Sequence, residues 1–341
     1  AMGSHGGATA DGQKEVLASF GITEENLKVP IVSSMDTIEI GKTAEGVPVY
    51  FDRAAAAADG IVLINRIKPH TDFRAPVESG LLKMLAIGLG KQRGAELIHS
   101  YGSAGLQKLI PLMADVIGKK LPILFGLGVI ENARDETADI IAMNYNQMKE
   151  KEPQLLIRAR ELMPKLPADY LDVLVVEKMG KNISGTGIDT NIIGRMGIRN
   201  QIDPELPQIS RIVVLDLTEE SHGNALGVGL ADIIPQRLRN KIDLKKTYAN
   251  VVTTSFLERG FIPLVMPTDE EAISVALKTP GRPVKPQDAK LMIIRSTLDL
   301  EELYISADLL PKVKDMPGIE VVGDLEELRF SNTGDLLTKL D

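Results

Sequence analysis

Short, uniformly apolar runs recur along this chain. Each leads into a polar or glycine-rich segment and then into a stretch of helical periodicity, an order that restricts the chain to α/β architectures. The runs occupy residues 61–64 (IVLI), 122–130 (PILFGLGVI), 171–177, 211–217 and 290–294. Residues 61–64 show no polar alternation, so they read as a strand covered on both faces. Apolar spacing predicts helices over 79–87, 106–118, 144–163, 225–240 and 268–278, with Thr268 placed to cap the last and Glu271 to complete a capping box. Residues 30–50 read as two short strands around a turn at Glu45 and Gly46. A chain of 341 residues exceeds the size at which one core keeps growing, and the PKLP segment at 164–167 reads as a linker. The expectation is two α/β domains, residues 1–165 together with 318–341 and residues 168–317, with the functional site in the interdomain cleft.

Composition narrows the chemistry. With 39 basic against 47 acidic residues, a net charge of -8, 4% aromatics and no Trp, the chain offers neither the basic patches nor the stacking platforms that nucleic acids need. It contains no Cys, which excludes disulfides, zinc–thiolate sites, iron–sulfur clusters held by the chain and cysteine nucleophiles. The apolar runs fall short of the roughly 18–20 residues a spanning helix needs, so no membrane partner is expected and the location is read as cytoplasmic. What remains is the chemistry of a small molecule.

Histidine is scarce, at 4 residues, and three of the four lie at His5, His70 and His99. His70 follows Pro69 on a loop leaving the first apolar run, a place suited either to an acid/base group or to a loop histidine bonded to Asp72. Lys83 interrupts the apolar stretch LLKMLAIGL, as a snorkelling helix lysine or as a pocket amine. Residues 88–94 (GLGKQRG) resemble a phosphate cradle, with Lys91 and Arg93 supplying charge. A second glycine-rich segment, 180–189, carries Lys181 and runs on to Asn191 and Arg195, a pattern richer than a turn requires. His222, beside two glutamates, reads as a solvated loop residue. The opening AMGSH reads either as an expression remnant or as native sequence.

Taken together, Gly3-Ser4-His5, Pro69-His70, Lys83 and His99, with 65 residues between the first two histidines and 16 from Lys83 to His99, resemble the nickel-dependent lactate racemase family of 2-hydroxyacid racemases and epimerases. The resemblance implies that His5 is a native site residue and that a further amino-terminal portion precedes this chain. It also implies a nickel-pincer nucleotide, the nickel pyridinium thiocarboxamide thiocarboxylate mononucleotide, whose own sulfurs bind the metal. Lys83 would be its covalent tether, His99 the protein ligand to nickel, and Lys91 and Arg93 the contacts to its phosphate. His5 and His70 would be acid/base groups on opposite faces of a small 2-hydroxyacid. In the family's reaction the substrate's carbon-bound hydrogen leaves as hydride to the cofactor, and a planar 2-keto acid is reduced again on its other face. Cofactor-synthesis enzymes are the implied maturation partners.

The interval from His70 to Lys83 is longer than in lactate racemases, and the region after Asp189 lacks their Tyr-Gln and Lys. Lys181, Asn191 and Arg195 are therefore the substrate candidates, and larger hydroxyacids, aldonic acids included, suit the pocket as well as lactate. Two other readings stand beside this one: a metal hydrolase with His5, His70 and His99 as direct ligands, and a cofactor-free small-molecule binding protein.

Overall fold

A computed structural model describes residues 6–199 and 201–340, and the chain divides between Met163 and Pro164 into two compact units. Both combine helices with sheets that contain parallel strands, so the fold class is α/β. His5 lies outside the described residues.

In the first unit the helices Ala10–Ser19 and Glu24–Leu27 precede an antiparallel pair, β1 (Thr37–Lys42) and β2 (Pro48–Asp52). A three-stranded sheet follows, ordered β3 (Ile61–Arg66), β4 (Ile123–Glu131) and β5 (Thr137–Met143), in which β3 and β4 are parallel and β5 is antiparallel to β4. The helix Tyr145–Leu162 packs on this sheet. Its start is closed by a reciprocal cap, in which Asn144 Oδ1 accepts the Gln147 N–H and Gln147 Oε1 accepts the Asn144 N–H, both at 3.0 Å. Strand β3 does not meet the expectation of cover on both faces. Ile61 and Leu63 are buried, but Val62 and Ile64 are 45% and 66% exposed, because the packed helices cover one face of the sheet.

The second unit is built on a sheet ordered β11 (Leu303–Ile305), β10 (Leu291–Ile294), β6 (Tyr170–Met179), β7 (Gln208–Leu217), β8 (Ile233–Pro235) and β9 (Leu264–Met266), parallel except at the β10–β11 edge. Its core holds Val173, Val175, Val213, Leu215, Ile233, Ile273 and Ile293. The helix Asp269–Lys278 lies on it, capped by Thr268 Oγ1, which accepts the Glu271 N–H at 3.2 Å.

Two expectations are corrected here. Residues 225–240 do not form one helix: they supply a short 3-10 turn, then β8, whose apolar Ile233 and Ile234 extend the sheet beside β7, then the helix Gln236–Lys241. Residues 318–341 belong with the second unit, since Leu336 is wholly buried in its core and its N–H is accepted by Asp269 at 3.0 Å.

Candidate active site

The polypeptide leaving β3 is held open as a loop by one carboxylate. Glu78, with no exposed surface, accepts the His70 N–H through Oε2 at 2.7 Å and the Ala75 N–H through Oε1 at 3.0 Å, and it pairs with Arg160 and, at 3.9 Å, with Arg74. Arg74 closes the same loop by donating to the His70 carbonyl at 2.6 Å. His70 packs against buried Phe73, with ring centroids 4.6 Å apart. Its Nδ1 accepts the Asp72 N–H at 3.0 Å, which places the proton of the neutral ring on Nε2. The Asp72 carboxylate stands 3.9 Å from the same nitrogen. Both readings of His70 thus share one geometry: the Asp72 backbone orients the ring, and its carboxylate is ready to stabilise an imidazolium.

The backbones of Lys68 and Ser79 then pair, and Gly80 begins the turn Leu81–Lys83. In place of a single helix over 79–87, this turn passes into a π-helix at Met84–Gly88, a wide turn often found where a side chain must be aimed at a site. Lys83 keeps some surface exposure, yet the protein packed around its ammonium lowers its pKa to about 8; the charges of Asp72 and Glu78 oppose this, and that of Lys68 assists it.

The glycine-rich stretch that resembles a phosphate cradle is helical from Lys91 to His99. Gly90 serves packing, since a Cβ there would fall 2.4 Å from the Ala86 carbonyl. Lys91 is corrected as a phosphate ligand: it is 2% exposed, and its ammonium lies 3.1 Å from Gln13 Oε1 and 3.4 Å from the Asp52 carboxylate, so its charge is already neutralised inside the unit. Arg93 lies over the Tyr50 ring at 4.0 Å.

His99 ends this helix. Its Nδ1 is buried and has no hydrogen-bond partner, and its pKa is lowered, chiefly by burial and next by the charge of Lys83, against the pull of Asp72. With the ring proton on Nε2, an Nδ1 in that position offers a bare lone pair, suited to a metal or a donor. Asp72 therefore ties the three residues together: it touches His70 and its charge is felt by both Lys83 and His99. Among the described residues no group of three or more His, Cys, Asp and Glu is arranged to hold a metal ion by itself.

The substrate candidates of the second unit lie after β6, where β7 and β10 flank it on opposite sides, the switch-point position at which open parallel sheets bind ligands. Lys181 donates to the Gly185 carbonyl at 2.5 Å, and Asn191 donates from its backbone and side chain to Asp189 Oδ1 at 2.8 and 2.7 Å. Asp189 ties the segment to the strand end of β10, its N–H donating to Thr297 Oγ1 at 2.9 Å. Arg195 is corrected as a substrate ligand: its guanidinium is committed to Asp232 and to the Leu230 and Ile209 carbonyls at 2.9 to 3.1 Å.

Sequence reasoning passed over Asp72 as more than a neighbour of His70, and missed Glu78, Arg160 and Glu152 altogether. For Glu152 a signal existed, because it falls in the buried stripe of its helix with Met148, Leu156 and Ala159.

No family model and no curated protein matches the chain. Among solved structures it is similar to the lactate racemase apoprotein from Thermoanaerobacterium thermosaccharolyticum, at 15% identity over 77% of this chain and 67% of that one, with a TM-score of 0.44. It is also similar to a protein from Thermotoga maritima, at 16% identity over 53% of this chain and 47% of that one, with a TM-score of 0.33. At TM-scores this low neither likeness bears on the residues of the site. Among the described residues no helix is long and apolar enough to cross a membrane.

Proposed function

We propose that this chain is a racemase or epimerase of a 2-hydroxyacid, using a nickel-pincer nucleotide tethered to Lys83, with His99 as the protein ligand to nickel. The observation that carries the reading is the pairing of a buried His99 Nδ1 that has no partner with a Lys83 amine whose pKa is drawn down beside it. These residues fit the group: the imidazole supplies a vacant nitrogen donor, the amine is more nucleophilic than an ordinary lysine's, and sulfur ligands must come from the cofactor because the chain has no Cys. When bound, such a cofactor supplies a reversible hydride acceptor.

The chain's own residues handle the proton. His70 exchanges it with the substrate hydroxyl at Nε2: the acid is the doubly protonated ring, and the base is the Nδ1–H tautomer, in which Nδ1 gives up the Asp72 N–H and turns its proton to the Asp72 carboxylate. His5 is the second acid/base group of this reading.

The test is maturation of the protein by coexpression with cofactor-synthesis enzymes. Expected are an added mass mapped to Lys83, nickel in the purified protein, and exchange at the 2-carbon for a member of a hydroxyacid panel. An unmodified mass together with full activity in Lys83→Ala overturns the proposal.

A further inference from the structure

We infer that Glu152 is a positioning residue for Lys83: reaching from another helix, its carboxylate caps the turn that carries the lysine and so holds that side chain in place. The inference rests on Lys83 being the functional amine of the site.

The turn Leu81–Lys83 is too short to be stable by itself, and its N-cap, Gly80, has no side chain with which to accept the free N–H groups at its start. Water cannot serve either, because Leu81 and Leu82 are 0% and 2% exposed. Glu152 Oε2 meets the need, accepting the Leu81 N–H at 3.1 Å and the Leu82 N–H at 3.2 Å. Lys83 is the next residue.

The arrangement is costly in a way that packing alone does not explain. Glu152 is 1% exposed and its Oε1 has no hydrogen-bond partner, a state disfavoured for any carboxyl group. Burial pushes its pKa up to about 7, although the two N–H groups pull the other way. An apolar residue would suit a stripe otherwise formed by Met148, Leu156 and Ala159. Gly80 is matched to the acid, since a Cβ there would lie 2.2 Å from Glu152 Oε1. The same segment is anchored by Asn65 Nδ2, which donates to the Gly80 carbonyl at 3.0 Å, and by the backbone pairing of Lys68 with Ser79. Acid and glycine together bring an acceptor to the start of the turn from the helix that also supplies Arg160 to Glu78.

The experiment reads Lys83 directly in the full chain without cofactor, so it does not depend on whether nickel ever binds. Acylation of Lys83 by an amine-selective reagent is followed against pH by peptide mass spectrometry. In the parent protein the profile is expected to have its midpoint at about 8. Glu152→Ala should move that midpoint upward by about one unit or more, slowing the reaction near pH 8 by about fivefold or more. Glu152→Gln keeps an oxygen acceptor and should stay within about twofold of the parent. A folded Glu152→Ala protein that retains the parent profile, or a Gln variant that behaves as Ala does, overturns the inference. Should the Ala variant fail to fold, Gly80→Ala, which drives the carboxylate from its place, is expected to give the same upward shift. Hydrogen exchange at Leu81 and Leu82 in the parent tests the cap with no variant: protection comparable with Leu85 supports it, and unprotected exchange overturns it.

Discussion

The buried carboxylate of Glu78 accepts the backbone N–H of His70 at 2.7 Å, so the residue proposed to carry the proton chemistry is held by an acid eight positions further along the chain. The same carboxylate accepts the Ala75 N–H and pairs with Arg160, which makes it the pin of the whole loop. Glu78→Ala leaves the two N–H groups without their acceptor and the partly exposed Arg160 without its partner, and a loss of about 2–4 kcal/mol is expected in urea unfolding. Glu78→Gln keeps one oxygen acceptor and should lose less. Equal losses for the two variants would argue against the carboxylate as the pin.

Lys91 is expected to act on stability rather than on ligand binding. Replacing it with Met leaves the Asp52 carboxylate, 3.4 Å from the ammonium and also the cap of Ala55, without its counter-charge. The expected cost is about 3 kcal/mol in the protein free of cofactor, and Asp52→Asn in the same chain should recover part of it. A lysine reserved for a phosphate would leave stability unchanged when removed.

The sequence was most legible where local pattern and tertiary packing agree. The strands at β3, β4, β6, β7 and β10 and the helix capped by Thr268 follow from apolar runs and capping residues, and both survive in the structure. The readings that failed were those in which one residue type serves two ends. GLGKQRG has the glycines and cations of an anion loop, yet its Gly90 admits the Ala86 carbonyl and its Lys91 answers a buried acid. Arg195 likewise carries a charge suited to a carboxylate ligand and finds Asp232 instead. Of the candidate site, His70, Lys83 and His99 stand out in the sequence through their spacing. Glu78 and Asp72 do not, because their importance comes from backbone N–H groups and charges that only folding brings near.

Glu152 makes a prediction about pH. The folded carboxyl keeps its proton up to about 7, whereas the unfolded one releases it near 4.5, so between these values the folded state binds more protons. Its contribution to stability therefore falls as pH rises through that window, by a total on the order of 3 kcal/mol. Glu152→Gln cannot ionise, and the difference in unfolding free energy between parent and variant should change by that order from pH 4.5 to pH 7, in favour of the variant at the upper end. A difference that stays constant across the window would place the ordinary carboxyl value on Glu152 and remove this dependence.

Lys83 and His99 should be seen to share a site by nuclear magnetic resonance titration of the His99 ring in protein without cofactor. The His99 pKa is lowered first by burial and second by the Lys83 charge, while Asp72 raises it. Lys83→Met removes the second cause and leaves the first, so the His99 pKa should rise and yet stay below the ordinary 6.5. Asp72→Asn removes the opposing charge and should drive it lower still. The sign of each change follows from electrostatics at short range, and the two variants move the ring in opposite directions. A His99 titration indifferent to both substitutions would mean that the lysine and the aspartate do not reach it, and the shared site would be lost with them.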